Sequence, residues 1–224
     1  MKENKKIKIG CASAFWGDTN DAAAQLVKSN ELNYLVFDYL AEVTMSILAA
    51  SQMKNPDLGY ATDFISQTGP LLSEIKAQGI KVISNAGGIN PIACRKALIK
   101  EADKQGLDFK IAIVEGDNLF HQKDNFSKKR VKDIDTNSDI PKSVTSINAY
   151  LGAEPIRRAL DEGADIIITG RCVDSAVTLG PLMYEFGWKL TDYDLLAAGS
   201  LAGHIIECGA QCNGGNFTDW HLVK

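Results

Sequence analysis

Short apolar segments of strand length alternate with longer amphipathic segments along most of the chain, and this alternation limits the fold more than any other feature. The predicted strands are residues 6–11, 34–38, 80–84, 109–114 and 164–169. The predicted helices are residues 21–28, 43–50, 64–78, 91–104, 155–162 and 176–186. Such alternation is typical of a parallel sheet covered by helices. We therefore predict an α/β fold with a Rossmann-like, mostly parallel three-layer sheet and helices on both faces; part of a β/α barrel is the alternative.

The chain of 224 residues is predicted to form one α/β domain over residues 1–224, because no internal repeat or low-complexity segment divides it. One segment, residues 117–145, is rich in charge and has neither a helical nor a strand period. Long segments of this kind inside a compact domain are either functional or disordered. Residues 117–145 are therefore predicted to be a long loop or a lid.

Charge and cysteine content argue against several classes of protein. The 28 acidic residues outnumber the 24 basic ones, and the net charge of −4 argues against binding to nucleic acid. The sequence has no run of about 18 apolar residues, and its N-terminus lacks the apolar core of a signal peptide. The 5 cysteines are scattered, which fits reduced thiols. We expect a cytoplasmic protein that binds neither nucleic acid nor membranes.

Acidic residues follow several of the predicted strands, and ligands of parallel α/β sheets bind beyond the carboxyl ends of the strands. The candidate general acids and bases are Asp38, Glu42, Glu115 and Asp174. Carboxylate oxygens suit magnesium better than zinc, so a Mg²⁺ ion is a candidate cofactor. Its candidate ligands are Asp38, Glu115 and Asp117. Loop carboxylates also commonly cap helices or face water, and that alternative stays open.

A glycine-rich turn, Asn85-Ala-Gly-Gly-Ile-Asn90, follows the third predicted strand and leads into the fourth predicted helix. Gly87 and Gly88 permit close approach of the backbone, and Asn90 before a proline favours the start of a helix. The free N–H groups of such a start attract anions. The predicted anion or phosphate site consists of Asn85, Gly87, Gly88, Asn90 and Arg171. A well-capped turn without a ligand is the alternative, since neither standard glycine-rich nucleotide motif occurs.

Near the end of the chain, His204, Cys208 and Cys212 are spaced four residues apart. On one helix face they would suggest a zinc site, but Gly209 argues against a continuous helix and no fourth ligand is evident. Cys208 beside His204 and Glu207 is also a candidate nucleophile with its base, so His204 and Cys208 are candidate catalytic residues. A buried structural cysteine is the simpler alternative.

Several long strings occur in the order found in one protein family. They are IGCASAFWGD (9–18), YLVFDYLAEVTM (34–45), GYATD (59–63), NAGG (85–88), ADIIITGR (164–171) and GHIIECG (203–209). On these strings the chain resembles the acyclic terpene utilisation, AtuA-like family, and it corresponds to the N-terminal core region of that family.

The resemblance implies a role in the breakdown of acyclic isoprenoids such as citronellol and geraniol, or of branched-chain acyl groups, as coenzyme A thioesters. It implies an acyl thioester as substrate and lyase, hydratase or hydrolase chemistry, but it assigns no reaction and no catalytic residue. The alternatives are a non-catalytic partner or scaffold subunit of the same pathway and a metal-dependent hydrolase or lyase. Because family members typically continue beyond this chain, we also expect a missing C-terminal half or a homo-oligomer.

Overall fold

The computed structural model describes residues 5–213 of the chain. Its strands are β1 (Ile9–Cys11), β2 (Tyr34–Phe37), β3 (Lys81–Ser84), β4 (Ile111–Val114) and β5 (Ile166–Thr169). Its α-helices are α1 (Ala22–Lys28), α2 (Glu42–Lys54), α3 (Asp63–Thr68), α4 (Leu72–Gln78), α5 (Pro91–Lys104), α6 (Lys123–Lys128), α7 (Glu154–Asp161), α8 (Ala176–Phe186) and α9 (Tyr193–Glu207). The 3₁₀ segments are Gly69–Leu71, Phe120–Gln122 and Gly209–Asn213.

The strands form a parallel sheet in the order β1-β2-β3-β5-β4. In its register, Tyr34 of β2 pairs with Ile9 of β1 and with Lys81 of β3, while Ile83 of β3 pairs with Ile167 of β5. The predicted α/β class with a parallel sheet is therefore confirmed. Within the described residues the strands form an open sheet in which β5 lies between β3 and β4. The Rossmann-like relationship stays a prediction.

The strands are covered on both faces, which explains why the sequence shows them as nearly continuous apolar runs. Leu35 and Phe37 of β2 belong to the core beneath α1 to α5, together with Leu48 of α2. Tyr34 and Val36 of the same strand belong to the opposite core, beneath α7 and α8. The period of two along β2 therefore divides its side chains between two hydrophobic cores.

The strand order determines which face each helix covers. Crossovers between parallel strands are right-handed. From β1 to β4 the chain moves across the sheet in one direction, and α1 to α5 lie on one face of the sheet. From β4 to β5 it moves back in the opposite direction, so α7 lies on the other face. After β3 the chain continues on one face of the sheet, and after the neighbouring strand β5 it continues on the opposite face. In α/β proteins, ligands commonly bind beyond the carboxyl ends of strands at such a point.

Two predicted segments differ in detail from the structure. The predicted helix at residues 64–78 is split into α3 and α4 by the 3₁₀ segment Gly69–Leu71, because Pro70 has no N–H for a helical hydrogen bond. The charged segment at residues 117–145 contains the 3₁₀ segment Phe120–Gln122 and α6, and an isolated bridge joins Lys132 to Asp139. Whether this segment acts as a lid stays a prediction.

Helix α9 is absent from the predicted elements, and it contains Gly199 and Gly203, which lower helix propensity. The same glycines let it pack closely: a Cβ atom at Gly203 would lie 2.7 Å from the carbonyl oxygen of Ser175, and one at Gly199 would lie 2.7 Å from Trp188. None of the described helices combines the length and the apolar character needed to span a bilayer.

Candidate functional site

Three carboxylates from separate parts of the chain meet at the carboxyl end of the sheet. Asp38 directly follows β2, Asp174 lies in the loop between β5 and α8, and Glu207 is the last residue of α9. One carboxylate oxygen of each lies within 4.8 Å of the corresponding oxygens of the other two. We call these three residues the carboxylate centre. Carboxylates this close repel one another, so the centre favours a bound proton or a bound cation.

Asp38 is the most buried member, with 2% of its surface exposed. Its Oδ1 accepts a hydrogen bond of 2.6 Å from the Asn85 side chain and one of 3.3 Å from the N–H of Leu40. Burial raises the pKa of Asp38 to about 8, and the charges of Asp174 and Glu207 add to this, while the hydrogen bond from Asn85 lowers it. A carboxyl group with this pKa can both give and take a proton near neutral pH.

Glu207 enters the centre because α9 packs closely at Gly199 and Gly203, which lie eight and four residues before it on the same helix face. Its residue exposure is 8%. The thiol of Cys11, at the end of β1, donates to the carbonyl oxygen of Glu207 at 3.4 Å and to that of Ser13 at 3.2 Å. The contact with Cys11 of β1 and the close packing of α9 together fix the position of Glu207.

Arg171 is buried beside the centre, with 4% of its side chain exposed. Its Nη1 donates to Asp174 Oδ1 at 2.6 Å and to the carbonyl oxygen of Cys172 at 3.0 Å. Its guanidinium carbon lies 4.1 Å from the ring centroid of Tyr150, and the Tyr150 hydroxyl donates to the carboxylate of Glu42. Among the described residues, no hydrogen-bond acceptor is available to its buried Nε.

Asp117 fixes the loop that carries Arg171. It is 3% exposed, and its Oδ2 accepts hydrogen bonds from the N–H of Arg171 at 2.8 Å and from the side chain of Asn148 at 2.9 Å. Gly170 makes room for this contact, because a Cβ atom there would overlap the Asp117 carboxylate. Asp117, a candidate metal ligand from the sequence, therefore lies outside the carboxylate centre and supports the neighbouring loop.

The glycine-rich turn uses most of its donors internally. The N–H groups of Gly88, Ile89 and Asn90 bind carbonyl oxygens, two of them that of Gly59, at 2.8 to 3.2 Å. The Asn90 side chain caps α5 by accepting from the N–H of Ala93 at 3.2 Å. Gly87 and Gly88 are buried, and Asn85 is occupied by Asp38 and by the N–H of Tyr39. The structure thus matches the alternative of a capped turn more closely than an open anion site.

The remaining candidates are dispersed. Glu115 is exposed, and the side chain of Glu42 is 79% exposed at the start of α2. The His204 side chain is 75% exposed, with Nδ1 3.3 Å from Glu207 Oε1. Burial, followed by the charge of Glu207, raises the pKa of Cys208 to about 11, so its thiol is protonated at neutral pH. In residues 5–213, the close group of potential metal ligands consists of carboxylates and includes neither His204 nor Cys208.

Two residues of the site were not among the candidates from the sequence. Glu207 was considered there only as a companion of Cys208, and Tyr150 was not considered. The spacing of Gly199, Gly203 and Glu207 at every fourth residue is a signal for a closely packed helix face that would have directed attention to Glu207. Tyr150 gives no local signal, because its contacts with Glu42 and Arg171 are distant in sequence.

The protein is therefore of the α/β class, with a parallel sheet and a partly buried carboxylate centre beyond the ends of its strands. A model of the family described as acyclic terpene utilisation family protein AtuA matches residues 7–224. The chain therefore belongs to this family, as the resemblance in its sequence predicted. No curated protein and no solved structure gives a significant match. Family membership connects the chain with the utilisation of acyclic terpenes and specifies no reaction.

Proposed function

We propose that the chain carries the acid–base centre of an enzyme that breaks down acyclic isoprenoid or branched-chain acyl thioesters, with Asp38 as the proton-transferring residue. The observation that carries the proposal is the convergence of Asp38, Asp174 and Glu207 at a switch point of the sheet. Asp174 and Glu207 supply the negative charge that, with burial, keeps a proton on Asp38. Asn85 orients the carboxyl group through its hydrogen bond.

The chemistry that suits such a centre is proton transfer at carbon. Lyase and hydratase reactions of acyl thioesters remove or add a proton close to the thioester carbonyl or at a carbon–carbon double bond. General acid–base catalysis by one positioned side chain typically contributes about 10²–10⁴-fold to the rate. The isoprenoid character of the acyl group is supported by the family. The coenzyme A thioester rests on the association of the family with this type of pathway.

The proposal is tested by exchange of hydrogen in D₂O with geranyl-CoA, measured by mass spectrometry of the recovered thioester. The wild-type chain is expected to incorporate deuterium, and Asp38→Asn is expected to lose this activity. Glu115→Gln is the matched control, because it removes an exposed carboxylate that follows β4, at the edge of the same sheet. Equal incorporation by Asp38→Asn and wild type would exclude Asp38 as the acid–base residue, and no incorporation by the wild type would count against the thioester substrate.

A second candidate, metal-dependent hydrolysis or elimination, is favoured by the same convergence of three carboxylate oxygens, since oxygen ligands suit Mg²⁺. The residues fit a cation through Asp38, Asp174 and Glu207. A bound cation would replace the proton and lower the pKa of Asp38. Titration of the ¹³C-labelled Asp38 carboxyl by NMR separates the candidates: a midpoint near 8 that Mg²⁺ leaves unchanged supports acid–base catalysis, and a midpoint moved strongly downward by Mg²⁺ supports the metal.

A third candidate, a partner subunit, is favoured by the outer face of α9. Tyr193, Ala197, Leu201 and Ile205 are spaced four residues apart and are exposed, Leu201 at 61% and Tyr193 at 73%. Contiguous exposed apolar surface is typical of interaction sites. If α9 mediates association, Leu201→Glu should abolish a complex that sedimentation velocity detects in the wild type. An unchanged sedimentation coefficient would remove this face from consideration.

A further inference from the structure

We propose that the Nε–Nη2 edge of the Arg171 guanidinium binds a carboxylate or phosphate group of the substrate beside the carboxylate centre. The inference rests on the proposed function for calling this ligand a substrate, but the binding itself does not require Asp38 to transfer a proton. It places the anion site at a side chain in the loop after β5 instead of at the backbone of the turn after β3.

The first argument comes from counting the donors of the guanidinium group. Arginine has five N–H donors. The two on Nη1 are used by Asp174 and by the carbonyl oxygen of Cys172. Within residues 5–213, Nε is buried and has no acceptor, and Nη2 lies 3.8 Å from Glu42 Oε1, which is too far for a hydrogen bond.

The second argument is geometric. The N–H of Nε and one N–H of Nη2 point in parallel from the same edge of a guanidinium group, and this edge matches the two oxygens of a carboxylate or a phosphate. Leaving a buried charged donor unpaired is costly. A ligand with two acceptor oxygens satisfies both donors of Arg171 at once, whereas a single carbonyl oxygen would satisfy them less well.

The third argument is the rigid support of Arg171. Its N–H donates to Asp117 at 2.8 Å, its carbonyl oxygen accepts from the N–H of Leu151 at 3.3 Å, and its guanidinium stacks on Tyr150. A side chain held in this way loses little conformational freedom when a ligand binds. The Nε–Nη2 edge of Arg171 is therefore preorganised for a ligand.

The ligand reaches the Nε–Nη2 edge of Arg171 by displacing Glu42. It is an anion of the chain itself that lies beside Nη2, and the Tyr150 hydroxyl holds it there. Its side chain is 79% exposed, so Glu42 can move outward with little loss of buried surface while Tyr150 stays stacked on the guanidinium. An incoming carboxylate or phosphate would take the place of the Glu42 carboxylate and gain the close contact that Glu42 lacks.

The test is an NMR titration that follows the side-chain Nε–H signal of Arg171, assigned by its loss in Arg171→Lys. Inorganic phosphate and acetate are the two probes, and the one that shifts the signal at lower concentration identifies the source of the anion. We expect a saturable downfield shift. Glu42→Gln removes the competing charge and should tighten binding roughly threefold to tenfold, while Glu115→Gln, the exposed control, should leave it unchanged.

Three results decide the matter. A signal that neither probe moves, or an affinity that is equal in Glu42→Gln and wild type, overturns the inference. Binding measured by calorimetry that is as tight in Arg171→Lys as in wild type also overturns it. Asp38→Asn keeps the Nε–H response if the inference is correct, even when it abolishes deuterium exchange. Failure of the acid–base proposal and failure of the anion subsite are therefore distinguishable.

Discussion

Two neighbouring loops at the same edge of the sheet differ in how they use their polar groups. The loop after β3 contains two glycines and leads into α5, and its backbone N–H groups mostly bind the chain's own carbonyl oxygens. The loop after β5 contains Gly170, Arg171 and Asp174, and there the buried Nε of Arg171 lacks an acceptor among the described residues. The first loop matches a widespread sequence signal for anion binding, yet the second has the unpaired donors.

The difference teaches that glycines at a sheet edge can serve opposite purposes. Gly88 has a φ of +54°, and its lack of a side chain lets the turn pack beneath Gly59. Gly170 instead admits the carboxylate of Asp117, which then holds the backbone of Arg171. The one glycine closes a turn, and the other helps to position a charged side chain.

The largest effect on stability is expected from Gly88→Ala, which introduces a side chain into the closely packed turn after β3. A Cβ atom at Gly88 would overlap the side chain of Leu48 and lie 2.8 Å from the carbonyl oxygen of Gly59, and the left-handed φ adds strain. Together these effects should lower the free energy of unfolding by roughly 2–4 kcal/mol, measured by urea denaturation.

Gly152→Ala is the matched control, because a Cβ atom at Gly152 meets nothing within 4 Å. It should change the free energy of unfolding by less than about 0.5 kcal/mol. If Gly88→Ala were as stable as Gly152→Ala, the turn after β3 would not be closely packed, and the contrast between the two loops would lose its structural basis.

The second effect concerns Asp38, which interacts with a residue of each loop. Asn85 of the first loop lowers its pKa and Asp174 of the second raises it, with burial as the largest cause of the net rise to about 8. The folded state therefore holds a proton that the unfolded state releases near pH 4. The stability from this group is fully present below pH 4 and is lost as the pH rises through 8.

Asp38→Asn keeps the shape of the protonated acid and cannot ionise. Relative to wild type, it should be about equally stable at pH 5 and more stable by roughly 2–4 kcal/mol at pH 9, measured by thermal or urea denaturation. Asp57→Asn, at an exposed position, should show no such pH dependence. A stability difference that is constant from pH 5 to pH 9 would mean that Asp38 is ionised throughout.

These contrasts also show how far the sequence could predict the molecule. The strands and the parallel sheet followed from apolar runs, because burial on both faces produces such runs. Asp38 and Asp174 were predicted from their places after β2 and β5, since parallel strands end at one edge. Glu207 was not: the spacing of Gly199 and Gly203 marks a closely packed helix face, but the sequence does not show that this face meets Ser175 at the carboxyl end of the sheet.

The third effect is smaller and concerns the start of α5. Asn90→Ala removes the cap on the N–H of Ala93 and two hydrogen bonds from the Asn90 amide to the carbonyl oxygens of Pro56 and Leu58. The free energy of unfolding should fall by about 1–2 kcal/mol. If the turn is only structural, the response of the Arg171 Nε–H signal to phosphate should be unchanged in this variant. A lost response would return the anion site to the turn.

The smallest effect is expected from Tyr150→Phe, which removes the hydrogen bond that holds Glu42 near Arg171 and keeps the stacked ring. That hydrogen bond lowers the pKa of Glu42, so its removal should raise the pKa, as NMR titration of the Glu42 carboxyl would show. Because Glu42 is largely exposed, the free energy of unfolding should change by less than about 0.5 kcal/mol. Release of Glu42 should nevertheless tighten phosphate or acetate binding at Arg171. An unchanged affinity would mean that Glu42 does not compete for the guanidinium edge, and that the second loop, like the first, is closed to ligands.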